Sequence, residues 1–259
     1  MSLTPEEVHR YARHIMLKEV GGPGQNKLKA AKVALVGVGG LGAPAALYLA
    51  AAGVGQLTLI DDDAVALSNL QRQVLFTTKG VASLKVAEAA TALQSLNPHV
   101  TIHQHIARLT PNNAETLLAG SDVVLDGSDS FETRFAVNAA CHHLGVPLVS
   151  GAVGRWDGQL AVFASGLTRD QPPHQRKPCY QCFVPQAPPD AETCAAVGII
   201  GALPGVIGAA MALEAVKLIT GAGEPLLGRL FLFDALHLEA RTVRLAPDPA
   251  CAICGPPHG

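Results

Sequence analysis

Gly37-x-Gly39-Gly40-x-Gly42 lies where a β-rich run, Lys32 to Gly37, hands over to an Ala-rich helical run, Leu41 to Ala52. Glycines at such a junction permit a tight turn and let a phosphate approach the backbone, while the helix N-terminus offers free N–H groups and partial positive charge. Asp61 ends the next β-rich run, nineteen residues beyond Gly42, where a carboxylate can accept hydrogen bonds from a ribose. Glycines used only for close packing would give the same triplet, so the weight falls on the strand–turn–helix context together with Asp61. NAD is the first expectation from this fingerprint, and no Gly-x-x-x-x-Gly-Lys-[Ser/Thr] loop for ATP is present.

A second set of residues changes that expectation. Ser68-Asn69-Leu70-Gln71-Arg72-Gln73 follows the second strand, Lys85 opens the next helix, and Asp126-Gly127-Ser128-Asp129-Ser130 ends the fourth strand. All three lie at or just beyond carboxyl ends of strands, the edge where open α/β sheets bind ligands. Hydride transfer has no use for an arginine, a lysine and a free carboxylate converging there. Attack on a triphosphate does, because cations must neutralise departing pyrophosphate and a carboxylate must hold Mg²⁺ against phosphate oxygens. Taken singly, Asp126 or Asp129 could cap a helix, and Arg72, Lys85 or Arg13 could be solvated charges. Their joint appearance carries the argument.

Cys179-x-x-Cys182 and Cys251-x-x-Cys254 read as two metal knuckles. Four thiolates suit tetrahedral Zn²⁺ with no open position, hence a structural site. The sixty-eight intervening residues exceed ordinary zinc-ribbon spacing, and a redox-active Cys-x-x-Cys or chance pairs remain the alternatives. Cys141 shares a helical run with Phe135, Val137 and Leu144 and reads as core, and His103 and His105 read as surface positions on a strand.

These residues require a scaffold that brings strand ends together. Strands are expected at Lys32 to Gly37, Gln56 to Asp61, Val100 to Ile106, Asp122 to Asp126 and Pro147 to Gly151. Helices are expected between them at Leu41 to Ala52, Ser83 to Leu96 and Phe131 to Leu144. That alternation predicts a Rossmann-like α/β fold, a mostly parallel sheet with helices on both faces. A helical arm ending in Gly21-Gly22-Pro23-Gly24 precedes it. After it come a further strand at Gln159 to Ala164, a Pro-rich excursion from Ser165 to Pro189, a helix from about Pro204 to Thr220, and closing strands at Arg229 to Asp234 and Glu239 to Leu245. The whole, 1–259, reads as one unit: arm 1–30, nucleotide-binding core 31–151, and 152–259 with C-terminal antiparallel strands and the zinc knuckles.

Composition sets outer limits. The chain is 49% hydrophobic and 15% charged with net charge −2, which opposes disorder and gives no basic surface for nucleic acid or anionic membranes. Ala195 to Leu213 is uncharged but Gly- and Ala-rich and broken by Pro204, so it reads as a buried helix rather than a membrane span. Met1 to Arg10 carries Glu6 and Glu7 and no apolar segment, so no secretory signal and a reducing cytoplasmic setting are expected.

Over essentially its whole length the sequence resembles the ThiF/MoeB family, bacterial members of the ubiquitin-activating-enzyme superfamily. The matching residues are Arg10-Tyr11-Ala12-Arg13-His14, the glycine turn, Asp61, Ser68 to Gln73, Lys85, Asp126-x-x-Asp129 and both cysteine pairs. The resemblance implies that Gly40 and the turn face the phosphates of ATP and that Asp61 binds its ribose. It implies that Asn69, Arg72 and Lys85 contact the phosphates, with Ser68 and Ser130 among the nucleotide-binding positions, and that Asp129 positions Mg²⁺. Arg13 would enter the neighbouring subunit's site in a homodimer. Cys194 aligns with the family's cysteine in a loop crossing the site, a candidate nucleophile whose alternative is a buried small residue. Ser130 departs from the pattern, since relatives commonly carry Asn. The implied reaction is adenylation of the terminal carboxylate of a small β-grasp sulfur-carrier protein ending in Gly-Gly, for molybdopterin or thiamine synthesis. Sulfur would come from a separate donor, as the chain ends at Gly259 without room for an appended sulfurtransferase domain. The competing readings are an NAD-dependent oxidoreductase on the same fold and a non-catalytic, zinc-stabilised binding module.

Overall fold

Alternate side chains of each central strand enter opposite cores, as the two-residue period of a strand dictates. Val33 and Leu35 face one core and Ala34 and Val36 the other; Leu59 and Ile60, and Leu125 and Val124, divide the same way. In this computed structural model, which describes residues 2–189 and 198–255, the strands form an eight-stranded sheet of order β3-β2-β1-β4-β5-β6-β7-β8. They are β1 (Lys32–Val36), β2 (Gln56–Ile60), β3 (Thr101–His105), β4 (Val123–Asp126), β5 (Leu148–Gly154), β6 (Asp157–Phe163), β7 (Arg229–Asp234) and β8 (Glu239–Arg244). β1 to β5 are parallel, whereas β6, β7 and β8 pair antiparallel. The expected α/β architecture, with its antiparallel C-terminal strands, is therefore present.

The helices are α1 (Pro5–Arg10), α2 (Ala12–Ile15), α3 (Gly21–Ala30), α4 (Gly42–Ala52), α5 (Lys85–Leu96), α6 (Ala114–Leu118), α7 (Phe131–Leu144), α8 (Tyr180–Phe183) and α9 (Ala202–Thr220). Apolar residues of α3, α4, α5 and α9 fill the first core, and those of α6, α7 and α8 the second. Burial on both faces explains why central strands are nearly continuous apolar runs. The edge strands β3 and β8 are mostly exposed and polar, including His103 and His105, which discourages pairing with further strands.

Three local features differ from the sequence expectation. Gly21-Gly22-Pro23-Gly24 opens α3 instead of ending the arm, since proline is tolerated in a first turn, where its missing N–H costs nothing. The short helices α6 and α8 carry too few residues to show a period. α9 begins at Ala202, leaving Pro204 inside its first turn. α9 is long and apolar enough to cross a membrane by length and composition, but here Leu203, Ile207, Met211 and Ala215 are buried in the first core. Its Glu214, also buried, pairs with Lys217 and accepts the Leu226 N–H at 2.7 Å.

The arm is tied to the core through Tyr11. Buried Asn97 donates to the Tyr11 hydroxyl at 2.8 Å and to Ala50 O at 2.7 Å. Gly53 closes α4 with φ +79°, and a Cβ added there would lie 2.4 Å from the Tyr11 ring. Replacing Gly53 by Ala combines left-handed strain with overpacking, so a loss of about 2–4 kcal/mol is expected in urea unfolding.

Candidate functional site

The chain turns away from β1 at Gly37, whose φ of +82° suits glycine and whose N–H donates to Ile60 O at 2.9 Å. A Cβ on Gly42 would sit 1.9 Å from Gly37 O, so this glycine lets α4 pack back against the strand end. Asp61, at the tip of β2, accepts the Val38 N–H on Oδ2 at 2.7 Å and the Asp63 N–H on Oδ1 at 2.9 Å. Burial pushes the Asp61 carboxyl up from its ordinary value, and the Lys85 ammonium 3.9 Å away opposes that shift. Lys85 is itself buried and donates to exposed Asp63 at 2.6 Å.

Across the sheet, where β1 and β4 diverge to opposite sides, lies the segment after β4. This is the topological switch point at which open α/β sheets bind ligands. Buried Asp126 accepts Ser128 N at 2.9 Å and Ser128 Oγ at 2.6 Å, while its Oδ2 has no partner among the described residues. Ser130 caps α7, accepting the Thr133 N–H at 3.1 Å. The cap is thus neither Asp126 nor Asp129, and serine supplies the cap as asparagine would. Asp129 stays exposed, without a hydrogen bond or ion pair among the described residues.

Gly37, Gly39, Gly40, Asp61, Arg72, Lys85, Asp129 and Ser130 all line one cleft of about 410 Å³. That size suits a small-molecule ligand, and convergent polar groups over glycine backbone suit an anionic one. Arg72 and Pro204 lie over Gly40, the arginine Cδ 3.7 Å and the proline Cβ 3.3 Å from where a Cβ would stand. Ser68 and Asn69 do not line the cleft. They build the turn that carries Arg72, with Ser68 O accepting Arg72 Nη1 at 3.2 Å and Asn69 O accepting Arg72 N at 3.0 Å. Arg13 is exposed on α2, away from the cleft of its own chain. Cys194 lies outside the described residues.

Sequence reasoning missed four charged lining residues: Asp62, Asp63, Arg108 and Arg134. Arg108 pairs with Asp62 at 3.4 Å, and Gln73 is buried with Oε1 unpartnered among the described residues. Arg134 had a legible signal, an arginine among the apolar positions of α7. A larger hollow, about 640 Å³, opens on the β5–β8 face and shares Ala152 and Val153 with the cleft.

The four knuckle cysteines gather at one place, their sulfurs all within 4.8 Å of one another. Cys179 to Cys251 is 3.5 Å, Cys182 to Cys254 3.3 Å and Cys179 to Cys182 4.0 Å. Zinc–sulfur bonds of about 2.3 Å at tetrahedral angles need sulfurs about 3.8 Å apart, so the set fits a four-thiolate zinc site. Hydrogen bonds from Cys179 and then Cys254 hold the Cys182 thiol far below its usual range, while the same contact pushes Cys179 up. The Asp248 N–H also points at Cys182 Sγ, 3.3 Å away.

Comparison with known proteins gives a consistent picture. The ThiF family profile matches residues 11–253. The chain is 45% identical over 257 residues to the sulfur carrier protein adenylyltransferase of Thermus thermophilus, covering 98% of this chain and 93% of that protein. It is 42% identical over 253 residues to the molybdopterin-synthase adenylyltransferase of Salmonella typhimurium, covering 98% of each. Among solved structures, MccB of E. coli with MccA-N7isoASN superposes with a TM-score of 0.83 at 22% identity, covering 96% of this chain and 75% of that one, a likeness of fold.

Cys182→Ser removes one ligand from the tetrahedral set. The variant is expected to lose stoichiometric zinc by elemental analysis and to unfold at lower temperature, an effect that chelation of the parent protein should reproduce.

Proposed function

The chain belongs to the ThiF family, and from that premise we propose that it is an adenylyltransferase that uses ATP to activate the terminal carboxylate of a small β-grasp sulfur-carrier protein ending in Gly-Gly. The observation that carries the reading is the convergence of Arg72, Lys85 and Asp129 on the glycine turn, with Asp61 beside it. Kinship with adenylyltransferases favours it over a dehydrogenase or a non-catalytic module.

In this reading the ATP phosphates lie over Gly39 and Gly40, and the ribose meets Asp61, whose carboxylate the Val38 N–H already orients. The carrier carboxylate attacks the α-phosphorus, the bond to the bridging oxygen breaks, and pyrophosphate departs with the electron pair. Arg72 and Lys85 offset the charge gathering on the leaving group. Asp129, an unengaged carboxylate facing the cleft, suits an oxygen-seeking Mg²⁺, which would supply further neutralisation at phosphate oxygens. Alignment of the reactants supplies much of the remaining rate. The carrier body would rest on the β5–β8 face, its tail passing Ala152 and Val153 into the cleft.

Further parts of the proposal extend beyond one chain. Arg13 would act in the cleft of a second copy, Cys194 would capture the activated acyl group or a persulfide, and a separate donor would supply sulfur. The cysteine cluster would hold Zn²⁺ as a structural ion in a reducing, cytoplasmic setting. Residues 1–259 would act as one adenylation unit.

Asp129→Ala, Arg72→Ala and Lys85→Ala are each expected to abolish ATP–pyrophosphate exchange while the fold survives; near-normal exchange would remove the residue from the site. Weighing a candidate carrier after incubation with protein, ATP and Mg²⁺ should show one added AMP. For Arg13, equal mixing of inactive Arg13→Ala and Asp129→Ala chains should recover about a quarter of parental activity, because half the dimers regain one complete site. No recovery after verified subunit exchange would place Arg13 outside the partner's site.

A further inference from the structure

We propose that Arg134 is a positioning residue for the Asp129 carboxylate. The proposal rests on the reading in which Asp129 holds Mg²⁺.

Arg134 is 6% exposed, and no carboxylate lies within ion-pair distance of it among the described residues. Burying a guanidinium costs several kcal/mol unless its donors are satisfied. Here the partners come mainly from backbone. Nη2 donates to Ser128 O at 2.5 Å and to Gly151 O at 2.9 Å, and Nη1 to Ser150 Oγ at 3.3 Å. The planar fork thus bridges the segment after β4 to the middle of β5, a geometry that a lysine's single ammonium does not reproduce.

The bond to Ser128 O has a particular consequence. That carbonyl belongs to the rigid peptide plane that leads into Asp129, so pinning the oxygen fixes how the plane enters the residue. The neighbouring positions are fixed as well. Ser128 N and Oγ are held by Asp126, and Ser130 is held by its cap on α7. Asp129 is therefore an unengaged side chain on a pinned backbone, which is how a metal-facing carboxylate is preorganised.

Calorimetric ATP affinity, measured in EDTA and across a Mg²⁺ titration, tests this. Arg134→Lys keeps the charge without the fork, and Ser150→Ala removes the side-chain acceptor of the fork. Arg134→Lys should need about tenfold more Mg²⁺ for the same tightening of ATP, and Ser150→Ala roughly threefold more, with affinity in EDTA within about twofold of the parent. An unchanged Mg²⁺ requirement in the folded variants overturns the proposal, as does an equal loss of affinity in EDTA, which marks general disruption. Should Arg134→Lys not fold, Ser150→Ala decides. Asp129→Ala separates the two levels: it should abolish the Mg²⁺-dependent gain, and a full gain in that variant would sink the Asp129 reading itself.

Discussion

The hydrogen bond from the Val38 N–H to the buried carboxylate of Asp61 joins the glycine turn to the tip of the second strand, and the cleft takes its shape from that union. A buried carboxylate is expensive unless it is hydrogen-bonded and near opposite charge. Asp61 meets both conditions, with two backbone N–H donors and Lys85 3.9 Å away. The turn is held where Gly39 and Gly40 present bare backbone, and Lys85 is drawn inward to the same wall. Two chemical requirements, a fixed acceptor and a nearby cation, are thus satisfied by one electrostatic arrangement.

Close approach of backbone elements is the second theme. α9 crosses the sheet near enough that a Cβ on Gly208 would meet Leu41 O at 2.4 Å, and one on Gly158 would meet Ile207 Cδ1 at 2.6 Å. Small residues here exchange side-chain burial for proximity, which brings the first turn of α9 over the cleft. The apolar character of α9, ambiguous in sequence, follows from packing against both the sheet and α4.

Much of this was legible in the sequence. Each expected strand is present, and in the central strands the signal is a short apolar run between turn residues. The glycine turn, Asp61, Arg72, Lys85 and Asp129 were readable because their chemistry is tied to strand ends. Ser68 and Asn69 share the same motif yet serve its turn, a difference that depends on three-dimensional direction and not on spacing. Arg108 was illegible for a related reason: it reaches the cleft from a loop whose local pattern reads as ordinary, and Arg134, although a charge among the apolar positions of α7, shows its place in the cleft only in the fold. The helix cap at Ser130 was ambiguous because Asp126, Asp129 and Ser130 are all competent caps, and only the fold selects among them. The Gly21–Gly24 run misled because glycine and proline serve helix starts as well as stops.

The contact between Lys85 and Asp63 bears on how the cleft fills. The ammonium is almost wholly enclosed, whereas the carboxylate that neutralises it is 58% exposed. In the proposed reading, an arriving phosphate would displace an anion that is already largely hydrated, and the enclosed cation would never stand alone. Capture of the nucleotide would then be an exchange of one counter-ion for another, with little net charge carried into the interior. Such an exchange would temper affinity on entry and give the departing pyrophosphate a ready substitute when it leaves.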